Sequence, residues 1–203
     1  REVDREPWAH EQPRTRQEQL DELAEQIRSC RRCELSSRRT YAVPGQGPMD
    51  PLVMVIGEAP GAQEDQQGLP FVGAAGQYLD KWLAAIGLDR RRTVYISNII
   101  KCRPPNNRDP LPGEIAACLP YLQEHIALLK PKSILCVGRI AAQILLSSSE
   151  GIGRLRGARH EYKEIPVIAT YHPSAVLRNP EFRRPVWDDL RMLSDLLEEQ
   201  THG

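Results

Sequence analysis

Leu52-Val-Met-Val-Ile-Gly57-Glu-Ala-Pro-Gly61 is a short apolar run that stops at a glycine and gives way to a polar turn. Five consecutive apolar residues are too few for a buried helix, and turn residues bound them, so the run reads as a buried strand. Comparable runs follow at Val94-Tyr-Ile-Ser97, Ser133-Ile-Leu-Cys-Val137 and Pro166-Val-Ile-Ala-Thr170. Between them the apolar residues change to helical spacing. Residues 76–86 align Leu79, Trp82, Leu83 and Ile86, with Gly87 as the stop. Residues 113–129, after Pro112, align Ile115, Leu119, Leu122, Ile126 and Leu129. Further helices are expected over 139–147 and over 182–199, the last with Val186, Leu190, Leu193 and Leu197 inward. Uniformly apolar strands separated by helices predict an α/β fold, a parallel sheet covered on both faces. Ligands of such sheets bind outside the carboxyl ends of the strands. Gly57–Gly61, Asn98 and Tyr171-His-Pro-Ser174 are therefore expected on one edge.

Before the first strand, Thr15-Arg-Gln-Glu18 has the form of a capping box. Leu20, Leu23 and Ile27 then predict an amphipathic helix over 16–29. Residues 1–14 are polar, carry Pro7 and Pro13, and read as a flexible tail; residues 15–203 read as one domain.

The chain has 203 residues, 27 basic and 27 acidic, and 40% hydrophobic residues. That excludes a disordered, collagen-like or disulfide-stapled chain. No apolar run approaches the ~20 residues of a membrane-spanning helix. Arg1-Glu2-Val3-Asp4 is charged and lacks the apolar stretch of a secretory leader, so a cytoplasmic protein away from membranes is expected. The zero net charge hides a pattern. Asp89–Arg108 holds six basic residues and one acidic; Arg154–Arg184 holds seven and three. Asp188–Glu199 holds five acidic and one basic. Local basic stretches suit phosphate contact, although charge runs also form ordinary solvated surface.

There are five cysteines. Cys136 lies inside an apolar strand and reads as core. Cys30-Arg-Arg-Cys33 at a helix end, Cys102 after a basic strand end, and Cys118 on a helix fit a zinc site, an iron–sulfur cluster, or four unpaired thiols. Spacing does not choose among these. A metal there ties the N-terminal helix to the 102–118 segment.

At the expected ligand edge, Glu58 follows the first strand in a turn whose glycines allow close backbone approach. This turn is neither a Walker loop nor a dinucleotide fingerprint. Phe71, one of two phenylalanines, sits in Leu69-Pro-Phe-Val-Gly73 as a core anchor or a stacking platform. Asn98 ends an apolar strand, and its amide offers a donor and an acceptor together. His172 precedes Pro173, so an extended turn is expected there.

Ordered along the chain, Cys30-x-x-Cys33, Gly57-Glu-Ala-Pro-Gly-Ala-Gln-Glu-Asp65, Gly68-Leu-Pro-Phe-Val-Gly73, Ser97-Asn-Ile-Ile-Lys-Cys-Arg-Pro-Pro105, Asn107-Arg108, Cys118 and His172-Pro-Ser174 carry a resemblance over roughly residues 20–197. The chain resembles the family 4 uracil-DNA glycosylases, iron–sulfur members of the uracil-DNA glycosylase superfamily. The resemblance implies a three-layer αβα fold with a four-stranded parallel sheet. It implies a [4Fe–4S] cluster on Cys30, Cys33, Cys102 and Cys118, with the N-terminal helix tied in by it. It implies a monomer that hydrolyses uracil from single- or double-stranded DNA and leaves an abasic site.

Site roles follow from the same resemblance. Gly57, Ala59, Glu64, Phe71 and Asn98 bind the base: Phe71 stacks on it, Asn98 reads O4 and N3–H, and Glu64 excludes the thymine methyl. His172 stabilises the departing uracil anion, and Glu58 serves the cationic sugar or the attacking water. Lys101, Arg103, Arg108 and Arg178 contact phosphates, while Val176 or Leu177 wedges into the duplex. Two other readings compete. One is a uracil binder that traps the abasic sugar covalently, like the X-type relatives, whose inserted histidine-bearing loop is missing from residues 101–117. The other is a non-enzymatic iron–sulfur scaffold or electron carrier.

Overall fold

Alternate residues of each central strand face opposite helical layers, and this sets the architecture. In the computed structural model, which describes residues 13–202, the strands are β1 Val53–Gly57, β2 Val94–Asn98, β3 Ser133–Val137, β4 Arg159–Tyr162 and β5 Ile165–Thr170. The expected tail over 1–14 lies, for residues 1–12, outside the described residues. The sheet order is β2-β1-β3-β5-β4. β2, β1, β3 and β5 pair in parallel, whereas β4 runs antiparallel to β5.

The expected four-stranded sheet is thus corrected to five strands. β4 (Arg-His-Glu-Tyr) alternates exposed and half-buried residues, so it lacks the apolar signature of a central strand. It joins β5 through Lys163-Glu164, both at positive φ (47° and 67°). A two-residue hairpin of this kind usually announces itself with Asn-Gly. Here no turn residue marks it.

Val53, Val55, Val94, Ile96, Leu135, Val137 and Ile168 pack with α3 (Ala74–Ala85), α7 (Pro173–Arg178) and α8 (Arg183–His202). Met54, Ile56, Tyr95, Ile134, Cys136, Val167 and Ala169 face α1 (Arg16–Ser29), α4 (Pro112–Leu129), α5 (Arg139–Leu145) and α6 (Ile152–Leu155). A short α2 (Ala62–Gln67) follows the β1 turn. Cys136 is completely buried, as its apolar setting predicts.

The capping box of α1 is present: Thr15 accepts from the Glu18 N–H, and Glu18 accepts from the Thr15 N–H. Leu20, Leu23 and Ile27 bury against α4, each contributing about 1.5–3 kcal/mol. Arg16 adds hydrogen bonds of 3.0 and 2.9 Å to the Leu128 carbonyl at the end of α4. Helix α1 is therefore docked by its own apolar stripe.

Candidate active site

β1 leads to β2 on one side and β3 lies on the other, so the strand order reverses beside β1. The crevice at such a reversal is where α/β sheets bind ligands. A cavity of about 470 Å³ opens there, and Glu58, Ala59, Glu64, Phe71, Asn98 and His172 all line it. The convergence expected at one sheet edge is borne out by position. These residues come from the turn after β1, α2, the loop before α3, the end of β2, and the turn after β5.

Phe71 adopts a left-handed conformation (φ 51°) and is 6% exposed. Three contacts hold that backbone. Glu64 Oε1 accepts the N–H groups of Val72 and Gly73, both at 2.9 Å. Arg90 donates to the Phe71 carbonyl at 2.9 Å and pairs with Asp80 at 2.8 Å. Gly76 lies beneath, where an added Cβ sits 1.8 Å from the Phe71 carbonyl oxygen. Phe71 is thus both a core anchor and a cavity wall, and Glu64 clamps its loop.

The Phe71 ring approaches the end of β1 because Gly57 has no side chain. A Cβ there sits 2.5 Å from Asn98 Oδ1 and 2.7 Å from Phe71 Cζ. Asn98 is 1% exposed, and its Oδ1 is buried without a hydrogen-bond partner. An unpaired buried carbonyl is costly unless a ligand satisfies it.

His172 has extended backbone (φ −69°, ψ 141°), as its place before proline predicts, and it caps α7. The Ser174 N–H donates to its Nδ1 at 3.1 Å, and Ser174 Oγ lies 2.8 Å from the same nitrogen. A ring nitrogen that accepts a backbone N–H carries no proton. The neutral imidazole therefore holds its proton on Nε2. Burial, reinforced by Arg178 and opposed by Glu64, pushes His172 down to about 4, so the ring is neutral at pH 7. It lies 5.7 Å from the Phe71 ring, centroid to centroid.

Glu58 is half-buried, and burial raises its carboxyl above the usual range; Asp109 raises it further, and Arg139 opposes both. Asp109 and Arg139 pair at 2.6 Å and both line the cavity. Sequence reasoning missed these two. Arg139 follows the carboxyl end of β3, so the strand-end rule points to it. Asp109 adjoins the Asn107-Arg108 motif.

The expected DNA-contacting residues divide. Arg178 and Leu177 are exposed, Leu177 at 47%. Arg103 is half-buried and donates to Asn107 at 2.8 Å. Arg108 lines the cavity, with its fork filled by Glu114 at 2.9 and 2.6 Å. Val176 is corrected: at 1% exposure it packs in the core, because α7 turns that side toward α3. Lys101 is corrected as well. It is 1% exposed, its Nζ bonds Ser97 Oγ and the Asn98 carbonyl, and no phosphate reaches it there.

The four expected metal-binding cysteines stand in one neighbourhood. Cys30 and Cys33 are half-buried at the end of α1; Cys102 and Cys118 are buried. Burial pushes the Cys118 thiol up to about 11; the Lys101 charge and N–H oppose this, and charges on Cys102 and Cys30 add to it. The Cys102 thiol is raised by burial too, with Cys33 and Cys30 contributing. Donors surround the sulfurs: Arg39 to Cys102 at 3.0 Å, the Lys101 N–H to Cys118 at 3.2 Å, and the Arg32 N–H to Cys30 at 3.5 Å. Among the described residues, no three His, Cys, Asp or Glu side chains close on a single metal ion. Four thiols in one neighbourhood, three of them accepting N–H donors, are the kind of donor set that an iron–sulfur cluster uses.

The family model described as the uracil DNA glycosylase superfamily matches residues 44–191. The chain is 44% identical over 187 residues to a type-4 uracil-DNA glycosylase of Archaeoglobus fulgidus, covering 88% of this chain and 94% of the relative. A type-4 uracil-DNA glycosylase of Pyrobaculum aerophilum is 45% identical over 181 residues, covering 85% and 92%. One from Sulfurisphaera tokodaii is 42% identical over 186 residues, covering 87% and 84%. With the strand-end cavity and the cysteine group, these matches lead to one statement: the chain belongs to the uracil DNA glycosylase superfamily, in its type-4 branch.

Proposed function

We propose that the protein excises uracil from DNA by hydrolysing the N-glycosidic bond, leaving an abasic site. The observation that carries this reading is the single cavity shared by Glu58, Phe71, Asn98 and His172, with an unsatisfied amide oxygen and a neutral imidazole in its walls. A base inside a duplex is unreachable, so the uridine is flipped out at a cost of roughly a few kcal/mol. Phe71 stacks on the base. The buried Asn98 Oδ1 accepts uracil N3–H, where cytosine has no proton to give, and the amide NH₂ serves O4. Glu64, fastened by two backbone N–H groups, is a rigid wall against the thymine methyl.

As the bond breaks, uracil leaves as an anion and the sugar gains positive charge. The Nε2–H of His172 stabilises the charge developing on uracil O2 without transferring a proton. Ionised Glu58 stabilises the cationic sugar or orients the water that adds to it. Leu177 enters the gap left by the base, and Arg103 and Arg178 meet phosphates, so binding weakens with salt. Cys30, Cys33, Cys102 and Cys118 hold a [4Fe–4S] cluster. When bound, that cluster supplies a rigid link between the end of α1, the segment after β2, and α4. Work in the cytoplasm on uracil-containing DNA fits this chemistry.

The test is a uracil-containing oligonucleotide incubated with enzyme and then alkali, comparing wild type with His172→Ala. Strand breakage at uracil is expected from wild type. His172→Ala is expected to lose about 10²–10³-fold in turnover with little change in KM. Absence of alkali-labile sites with wild type overturns the reading.

A further inference from the structure

Lysine is almost never fully buried without a charged partner. Lys101 is 1% exposed, and its hydrogen-bond partners are neutral oxygens. Its Nζ donates to Ser97 Oγ at 2.5 Å and to the Asn98 carbonyl at 2.8 Å. Its own backbone N–H donates to Cys118 Sγ at 3.2 Å, and its carbonyl accepts the Val43 N–H at 2.8 Å. The next residue is Cys102. One residue therefore touches both the cysteine group and the end of β2, where Asn98 turns its amide toward the cavity.

The path is short and each link is directional. Beyond β2 the chain stays laddered to the β1 turn, through Ile99 N–H to the Gly57 carbonyl at 2.9 Å and Ile100 N–H to the Glu58 carbonyl at 3.1 Å. Lys101 then reaches back three and four residues and pins the Asn98 carbonyl and the Ser97 hydroxyl. Ser97 Oγ is itself anchored on the Pro44 carbonyl at 3.1 Å. The bond to its carbonyl holds the backbone from which the Asn98 side chain springs, and the close approach of Gly57 and Phe71 leaves the amide little room. Holding the ammonium also requires that Cys118, on α4, keep its place beside the Lys101 N–H.

We propose that Lys101 is a positioning residue that couples the cysteine-held group to the base-reading amide of Asn98. The inference rests on the reading of Asn98 and the four cysteines under Proposed function. It predicts that losing Lys101 loosens recognition of the base itself while leaving the four cysteines able to hold their group.

The experiment uses the holoenzyme in four forms: wild type, Lys101→Met, Asn98→Ala and the double variant. Two quantities are read: inhibition of oligonucleotide cleavage by free uracil, and visible absorbance per protein. Lys101→Met is expected to keep the absorbance and weaken uracil inhibition about tenfold. In the Asn98→Ala background it is expected to weaken it no further. Ser97→Ala, which removes one Nζ acceptor and no charge, is expected to shift inhibition the same way by a smaller factor. An equal loss in both backgrounds, or lost absorbance with unchanged inhibition, overturns the proposal. If Lys101→Met yields no folded protein, unchanged inhibition in Ser97→Ala overturns it. A wild type that releases no uracil fails the functional reading instead, and the two failures are distinguishable.

Discussion

Each helical layer holds a charged side chain at 1% exposure or less, and the two are compensated differently. In the layer of α3, α7 and α8, Asp189 is fully buried. Arg156 grips it at 2.8 and 2.9 Å, Thr170 donates at 2.7 Å, and the Gly157 N–H at 3.0 Å. In the layer of α1 and α4, Lys101 is buried against neutral oxygens, with thiols as its neighbours. Asp189 brings its counter-charge with the fold. Lys101 finds negative charge only when the cysteines are thiolates, which is the state that metal binding stabilises. The first layer is therefore complete as polypeptide, and on the reading proposed above the second would be completed by the group that the cysteines hold.

The largest effect that breaks this contrast is Asp189→Ala. It leaves Arg156 partly buried and unpaired, with an expected loss of about 3–5 kcal/mol in urea unfolding. A loss near zero removes the argument that the first layer depends on its internal ion pair. Stripping the cysteine group with oxidant and chelator comes next. An expected loss of about 3 kcal/mol is confined to the second layer. Hydrogen exchange then accelerates in α4 and the segment after β2, whereas α3 and α8 keep their protection. Uniform acceleration erases the distinction.

Adjacent residues on α7 sharpen the comparison at smaller scale. Val176→Ala removes a side chain buried in the apolar layer and is expected to cost ~2 kcal/mol of stability. Leu177→Ala leaves stability within about 0.5 kcal/mol and weakens action on duplex DNA instead. The smallest effect lies on the pH axis, where the layers meet. His172 stays neutral down to about 4, so the acid limb of activity belongs to Glu58, whose carboxyl is raised. If Glu58 acts ionised, as proposed, activity is expected to fall as pH drops through that raised value. Asp109→Asn removes a charge that raises Glu58, so the limb is expected to move to lower pH. A limb that stays in place assigns it to another group.

Most of the site was legible because α/β strands announce themselves. Uniform apolar runs locate β1, β2, β3 and β5, and their carboxyl ends deliver Glu58, Asn98 and His172 to one rim without knowledge of any long-range contact. Strand β4 escaped because an edge strand with one solvated face alternates, and its Lys-Glu turn carries no glycine or asparagine. The missed Asp109 and Arg139 sit in a loop and at a helix start, where pairing across the cavity gives them meaning.

Periodicity and turn chemistry are local properties, so the chain alone specifies its elements, their type, and the edge where chemistry collects. Burial of an individual polar or charged side chain is a long-range property. Lys101 lies in a basic stretch that reads as surface, yet the fold folds it inward because Ser97, Asn98 and the cysteine segments surround it. Val176 and Leu177 are equivalent as sequence, and the packing of α7 against α3 selects which one faces solvent. Tertiary structure decides these cases because desolvation depends on every neighbour at once, and the neighbours come from distant parts of the chain.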